Sequence, residues 1–80
     1  MSSTKTDYVT DGKGTAYTIM VHYHNSEELQ NEGFSNGVTM YSVFTGGTCY
    51  SHYDEYELTR NMPGNADWVI DELHRLEGEI

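Results

Sequence analysis

Large apolar or aromatic side chains recur at every second position through residues 17–23. Tyr17, Ile19, Val21 and Tyr23 fall on one side of an extended chain, and Thr18, Met20, His22 and His24 fall on the other. The pattern predicts a strand with the first set turned to the core. Upstream, residues 5–10 predict a shorter strand that closes in the turn Asp11-Gly12-Lys13-Gly14, while residues 1–4, small and polar, are expected to fray. Residues 25–36 are polar, with Leu29 among Glu27, Glu28 and Glu32, and predict a loop or one irregular helical turn. Val38–Thr45 reads as a further strand. Gly46-Gly47 then supplies two residues that tolerate positive φ, the requirement of a tight hairpin, so a short return strand should start at Thr48.

Two helices are expected after the hairpin. Ser51-His52-Tyr53-Asp54 matches a capping box and predicts a helix over residues 52–61, with Tyr53, Tyr56 and Leu58 toward one side. Tyr50, His52, Asp54, Tyr56 and Leu58 also alternate, so a prolonged strand is the competing reading. Met62-Pro63-Gly64 breaks the chain, and Asn65 is expected to cap a last helix over residues 66–77. Ala66, Val69, Ile70, Leu73 and Leu76 form its apolar stripe, and Asp71 with Arg75 is an i,i+4 pair. The expected architecture is α+β: an antiparallel sheet of three to four strands followed by two helices packed on one face. The other face is left to solvent or to a partner.

Eighty residues make one domain, 1–80, with room for only a thin core. A hydrophobic fraction of 36% is low, but seven Tyr, two Phe and one Trp offset it, since each large aromatic removes about 150–250 Å² from water. Cys49 is the single cysteine, so no internal disulfide forms and a reducing cytoplasm is the expected setting. No apolar run follows Met1, so neither a secretory leader nor a membrane span is expected.

Charge sharpens the picture. Thirteen acidic and four basic residues give a net charge of −9. Lys5 and Lys13 balance Asp7 and Asp11, whereas residues 26–80 set eleven acids against Arg60 and Arg75. So lopsided a distribution disfavours direct contact with nucleic acid or an anionic membrane and favours a basic protein partner. Glu27, Glu28, Glu32, Asp54, Glu55 and Glu57 are the candidate charged contacts. Carboxylates at such positions could stand where phosphates sit in a cationic groove. Tyr41 and Tyr50, expected to pair across the Gly46-Gly47 hairpin opposite Met40, Phe44, Cys49 and Tyr53, are candidate apolar anchors. Trp68, off the apolar stripe, either tucks against Met62 and Pro63 or stands in solvent as a third anchor.

Chemistry is thinly represented. His22 and His24 share a side of one strand, roughly 6.5–7 Å apart at Cα, a spacing that allows zinc chelation with Cys49, His52 or a carboxylate as third ligand. The alternative is a pair of solvent-facing histidines. Cys49 with a histidine could form a thiolate–imidazole pair, but a lone cysteine beside a turn is more often a small apolar residue. Gly12-Lys13-Gly14 lacks the spacing of a phosphate loop. No catalytic role or cofactor is expected.

Laid out in this order, the chain resembles the small phage-encoded anti-CRISPR proteins that join an antiparallel sheet to two helices. The likeness is one of order, length and charge: the long strand over 15–24, the Asn36-Gly37 turn, a helix, the Met62-Pro63-Gly64-Asn65 break and a final helix. It implies a phage or mobile-element inhibitor acting in the host cytoplasm, as monomer or dimer. Such a protein binds a CRISPR effector or another basic nucleic-acid-binding host protein and blocks access to DNA. An antitoxin-like or accessory binding protein, or a small metal-binding domain built on His22 and His24, are the alternatives.

Overall fold

In the computed structural model, which describes residues 2–64 and 66–80, four strands form one antiparallel sheet in the order of the sequence. They are β1 (Ser2–Thr10), β2 (Ala16–His24), β3 (Val38–Thr45) and β4 (Thr48–His52). Helix α1 (Glu27–Asn31) lies between β2 and β3, and α2 (Glu55–Asn61) and α3 (Asp67–Glu77) follow the sheet. The α+β architecture read from the sequence is the one observed.

Register fixes what each face carries. Lys5 stands opposite Val21, Asp7 opposite Ile19 and Val9 opposite Tyr17. Val21 in turn pairs with Tyr41, and Ile19 with Val43. Tyr50 completes the row beside Val43. This face receives α2 and α3. Ile19, Val21, Val43, Leu58, Val69 and Leu73 are wholly buried between sheet and helices, with Tyr41, Met62, Ala66 and Leu76 close behind. The apolar stripe of α3 thus holds, with Ile70 half-buried at its margin.

Several local expectations are corrected. β1 begins at Ser2 rather than Lys5, because β2 offers a partner along its whole length and Thr4 Oγ1 lies 2.5 Å from His22 Nδ1. Ser51 does not cap a helix. It sits in β4 and shares a 2.9 Å hydrogen bond with Ser42 across the β3–β4 ladder. The strand continues to His52, and Asp54 becomes the N-cap, its carboxylate accepting from the Tyr56 amide at 2.9 Å. A carboxylate binds free helix amides at least as well as a hydroxyl, so the cap moves three residues downstream. As a result α2 buries Leu58 and Thr59, whereas Tyr53 and Tyr56 are exposed. Arg75 turns to Glu72, Glu79 and Asp7 rather than to Asp71. The proposed cap Asn65 lies outside the described residues.

The turns follow the expected chemistry. Gly46 and Gly47, at φ 58° and 77°, join Thr45 to Thr48 in a two-residue hairpin. Asp11 secures the first turn by accepting from the Lys13 and Thr15 amides at 2.8 and 2.9 Å. Both acceptor bonds favour the ionised carboxylate and hold Asp11 below its ordinary pKa.

Candidate protein-binding face

Turning one sheet face to the helices commits the alternate residues of every strand to the other. On that open face lie Thr4, Thr6 and Tyr8 of β1, Thr18, Met20, His22 and His24 of β2, Val38, Met40, Ser42 and Phe44 of β3, and Cys49 and Ser51 of β4. None of these positions, nor Ser2, Thr10 or Ala16 at the strand ends, is Asp, Glu, Lys or Arg. A solvated sheet face is polar, as the Ser, Thr and His positions here are, but this one also exposes large aromatics. Here Tyr8 is 79% exposed, Phe44 42% and Tyr53, just past β4, 62%.

At one end of this face the surface deepens into a groove of about 640 Å³. His22, His24, Val38 and Met40 of the open face form its floor, and Leu29, Phe34 and Tyr53 wall it. The Leu29 and Phe34 part of that wall comes from α1 and the turn that follows it. Ser26 caps the helix by accepting from the Leu29 amide at 3.3 Å, and Phe34 closes the turn by donating its amide to the Leu29 carbonyl at 2.9 Å. The chain can return into β3 only at Gly37. There φ is +81°, and an added Cβ would stand 2.7 Å from the His24 carbonyl oxygen and 2.8 Å from the Tyr23 ring. Tyr23 locks the same corner by donating to the Asn36 carbonyl at 2.9 Å.

The residues singled out from the sequence divide sharply. Tyr41 is not an anchor: it lies in the core at 6% exposure and donates to Glu77 at 2.5 Å. Burial, followed by the Glu77 and Glu55 carboxylates, pushes its phenol well above the ordinary range. Tyr50 is half-buried on the same helix-covered face, diagonal to Tyr41, because the register sets Tyr41 opposite His52 and Val43 opposite Tyr50. Trp68 is no free anchor either. Its ring meets Tyr17 edge-on, with centroids 5.1 Å apart, and packs against the core. The aromatic set on the open surface is instead Tyr8, Phe34, Phe44 and Tyr53. Alternation in β3 and β4 had separated the two candidate sets but could not say which faced outward.

The carboxylates divide as well. Glu57 pairs with Arg60, Glu55 approaches His74 at 3.7 Å, and Glu72 and Glu79 share Arg75. Those of α2 and α3 are in large part engaged within the molecule, so the candidate contacts Glu55 and Glu57 both have partners of their own. Glu27, Glu28 and Glu32, on or at the end of the helix that carries the groove residue Leu29, are exposed, and Asp54 follows the groove residue Tyr53.

His22 and His24 sit together on the groove floor, but no third His, Cys, Asp or Glu joins them among the described residues. Cys49 is on the Phe44 rung, and His52 faces the helix side, where its Nδ1 accepts from the Asp54 amide at 2.9 Å. No helix among the described residues is long and apolar enough to cross a membrane. No family model matches the sequence, and no curated protein or solved structure is significantly similar to it.

Proposed function

We propose that this chain is an inhibitor-type binding protein, anti-CRISPR-like in action. It would dock its open sheet face on a basic nucleic-acid-binding host protein and keep DNA from it. The observation that carries this reading is the open face itself: sixteen strand positions without a formally charged side chain, topped by exposed Tyr8 and Phe44 and continued by Tyr53 and Phe34. Exposed aromatics on a surface free of formal charge suit the centre of a protein interface, where charged residues are depleted and aromatics enriched. The net charge of −9 has a different part. It accelerates encounter with a cationic partner and repels competing nucleic acid, while the aromatic face supplies the lasting contact.

The division of labour makes the proposal specific. Steric occlusion by the sheet face does the blocking, and the acidic residues steer. The test is DNA binding by purified CRISPR effector complexes and other basic DNA-binding proteins, with and without this chain. At least one should lose its DNA, and Phe44→Glu should abolish the effect. Undiminished DNA binding across the set sinks the proposal.

A further inference from the structure

We propose that the groove walled by Leu29, Phe34 and Tyr53 receives one apolar side chain carried on a lysine- and arginine-rich segment of the partner. This rests on the open face being the contact surface and specifies what that surface takes.

The groove has the volume and lining for such an anchor. At about 640 Å³ it lies within the size range of small-ligand pockets, and Leu29, Phe34, Val38, Met40 and Tyr53 give it an apolar lining. Phe34 and Tyr53, which both line it, stand 51% and 62% exposed, and both lose contact with water if a side chain packs against them.

Charge names the rest of the segment. No lysine or arginine occurs between Lys13 and Arg60, a stretch that contains the entire groove. Within it, Glu27, Glu28 and Glu32 accompany the α1 wall and Asp54 follows the Tyr53 wall. Among the described residues no cation forms an ion pair with Glu27, Glu28 or Glu32, in contrast to Glu57 of α2 and Glu72 of α3. An apolar anchor flanked by cations satisfies both features. A second copy of this chain could offer an apolar side chain but not the cations, since it carries its own excess of carboxylates.

A fluorescence-polarisation titration with a short labelled peptide, alternating Lys and Arg around a central Leu, tests the assignment. Binding should weaken with salt and fall about tenfold or more when the peptide Leu becomes Ala, or in Phe34→Ala or Tyr53→Ala, the loss typical of an interface anchor. Glu27→Gln/Glu28→Gln/Glu32→Gln should remove most of the salt dependence. Both aromatic variants alter exposed side chains, and their circular dichroism should match the parent. Equal binding of a Glu-flanked peptide, no binding at all, or self-association that depends on Phe34 each overturns the assignment. Its fate is separable from that of the inhibitor reading. If Phe34→Ala still excludes DNA, the groove assignment falls and inhibition stands. If the peptide binds but no partner loses DNA, the reverse holds.

Discussion

Arg75, near the end of α3, places its guanidinium 2.7 Å from the carboxylate of Asp7 on β1, joining the last helix to the first strand. The same guanidinium lies 2.9 Å from Glu72 and 3.1 Å from Glu79. One cation therefore serves three acids and ties down an edge strand that otherwise meets only β2 in the sheet. The Arg75 hydrogen bond, helped by the Tyr8 amide at 2.8 Å, holds the Asp7 carboxyl below its ordinary range.

A pH dependence follows. Because the folded-state pKa of Asp7 is depressed, its contribution to stability is complete above the unfolded value near about 4 and fades as pH falls through the folded value. Both groups are solvent-exposed, so the effect is modest and weakens with salt. Thermal unfolding of Asp7→Asn should run below the parent at neutral pH and converge with it in acid. Parallel curves at all pH values would contradict the pairing.

The edge-on contact of Trp68 with Tyr17 should be visible in stability. Trp68→Ala removes a half-buried aromatic and is expected to cost roughly 2–4 kcal/mol, of which about 0.5–1.5 kcal/mol belongs to the ring pair. Urea unfolding followed by circular dichroism measures the total, and a double-mutant cycle with Tyr17→Leu isolates the pair.

Gly37 and Gly46 both have positive φ, yet they differ in surroundings. An added Cβ meets backbone and the Tyr23 ring at Gly37 and nothing within 4 Å at Gly46. Gly37→Ala should destabilise by more than about 1 kcal/mol and disturb the α1 wall. Gly46→Asn, at a position where asparagine accepts left-handed geometry, should be nearly neutral. Unfolding midpoints of the two variants decide it.

A charge placed on the open face separates folding from recognition. Phe44→Glu and Tyr8→Lys alter exposed side chains and should shift stability by only about 0.5 kcal/mol. Each should nonetheless abolish partner binding, since a desolvated charge at an interface centre is costly. Retained binding in both variants would move the contact surface elsewhere. By contrast, Leu73→Ala, wholly buried under the sheet, should cost about 2–5 kcal/mol.

Local chemistry was legible wherever one pattern dominated. The period of two in β2, the Gly46-Gly47 hairpin and the apolar stripe of α3 each stood in the sequence as the structure has them. The start of α2 was not, because Ser51 and Asp54 are both competent caps. The choice depended on Ser51 finding Ser42 across the ladder. The candidate site was legible only in part. Glu27, Glu28 and Glu32 lie on or at the end of the helix that carries the groove residue Leu29, and Asp54 follows the groove residue Tyr53, but Tyr41, Tyr50 and Trp68 belong to the helix-covered side. Phe34 sits in a polar loop. Its signal, a lone aromatic between Gly33 and the Asn36-Gly37 turn, carries no periodicity.

By itself the amino-acid sequence determined the α+β class, the order of elements, the alternation that splits each strand into two faces, and the excess of carboxylates after residue 25. These are consequences of backbone period and composition, which act over a few residues. Tertiary structure alone decided which face the helices cover, which aromatics remain outside, and which carboxylates meet a cation. Those outcomes depend on contacts between residues far apart in the chain, as Arg75 with Asp7 and Tyr41 with Glu77 illustrate, and no local pattern encodes them.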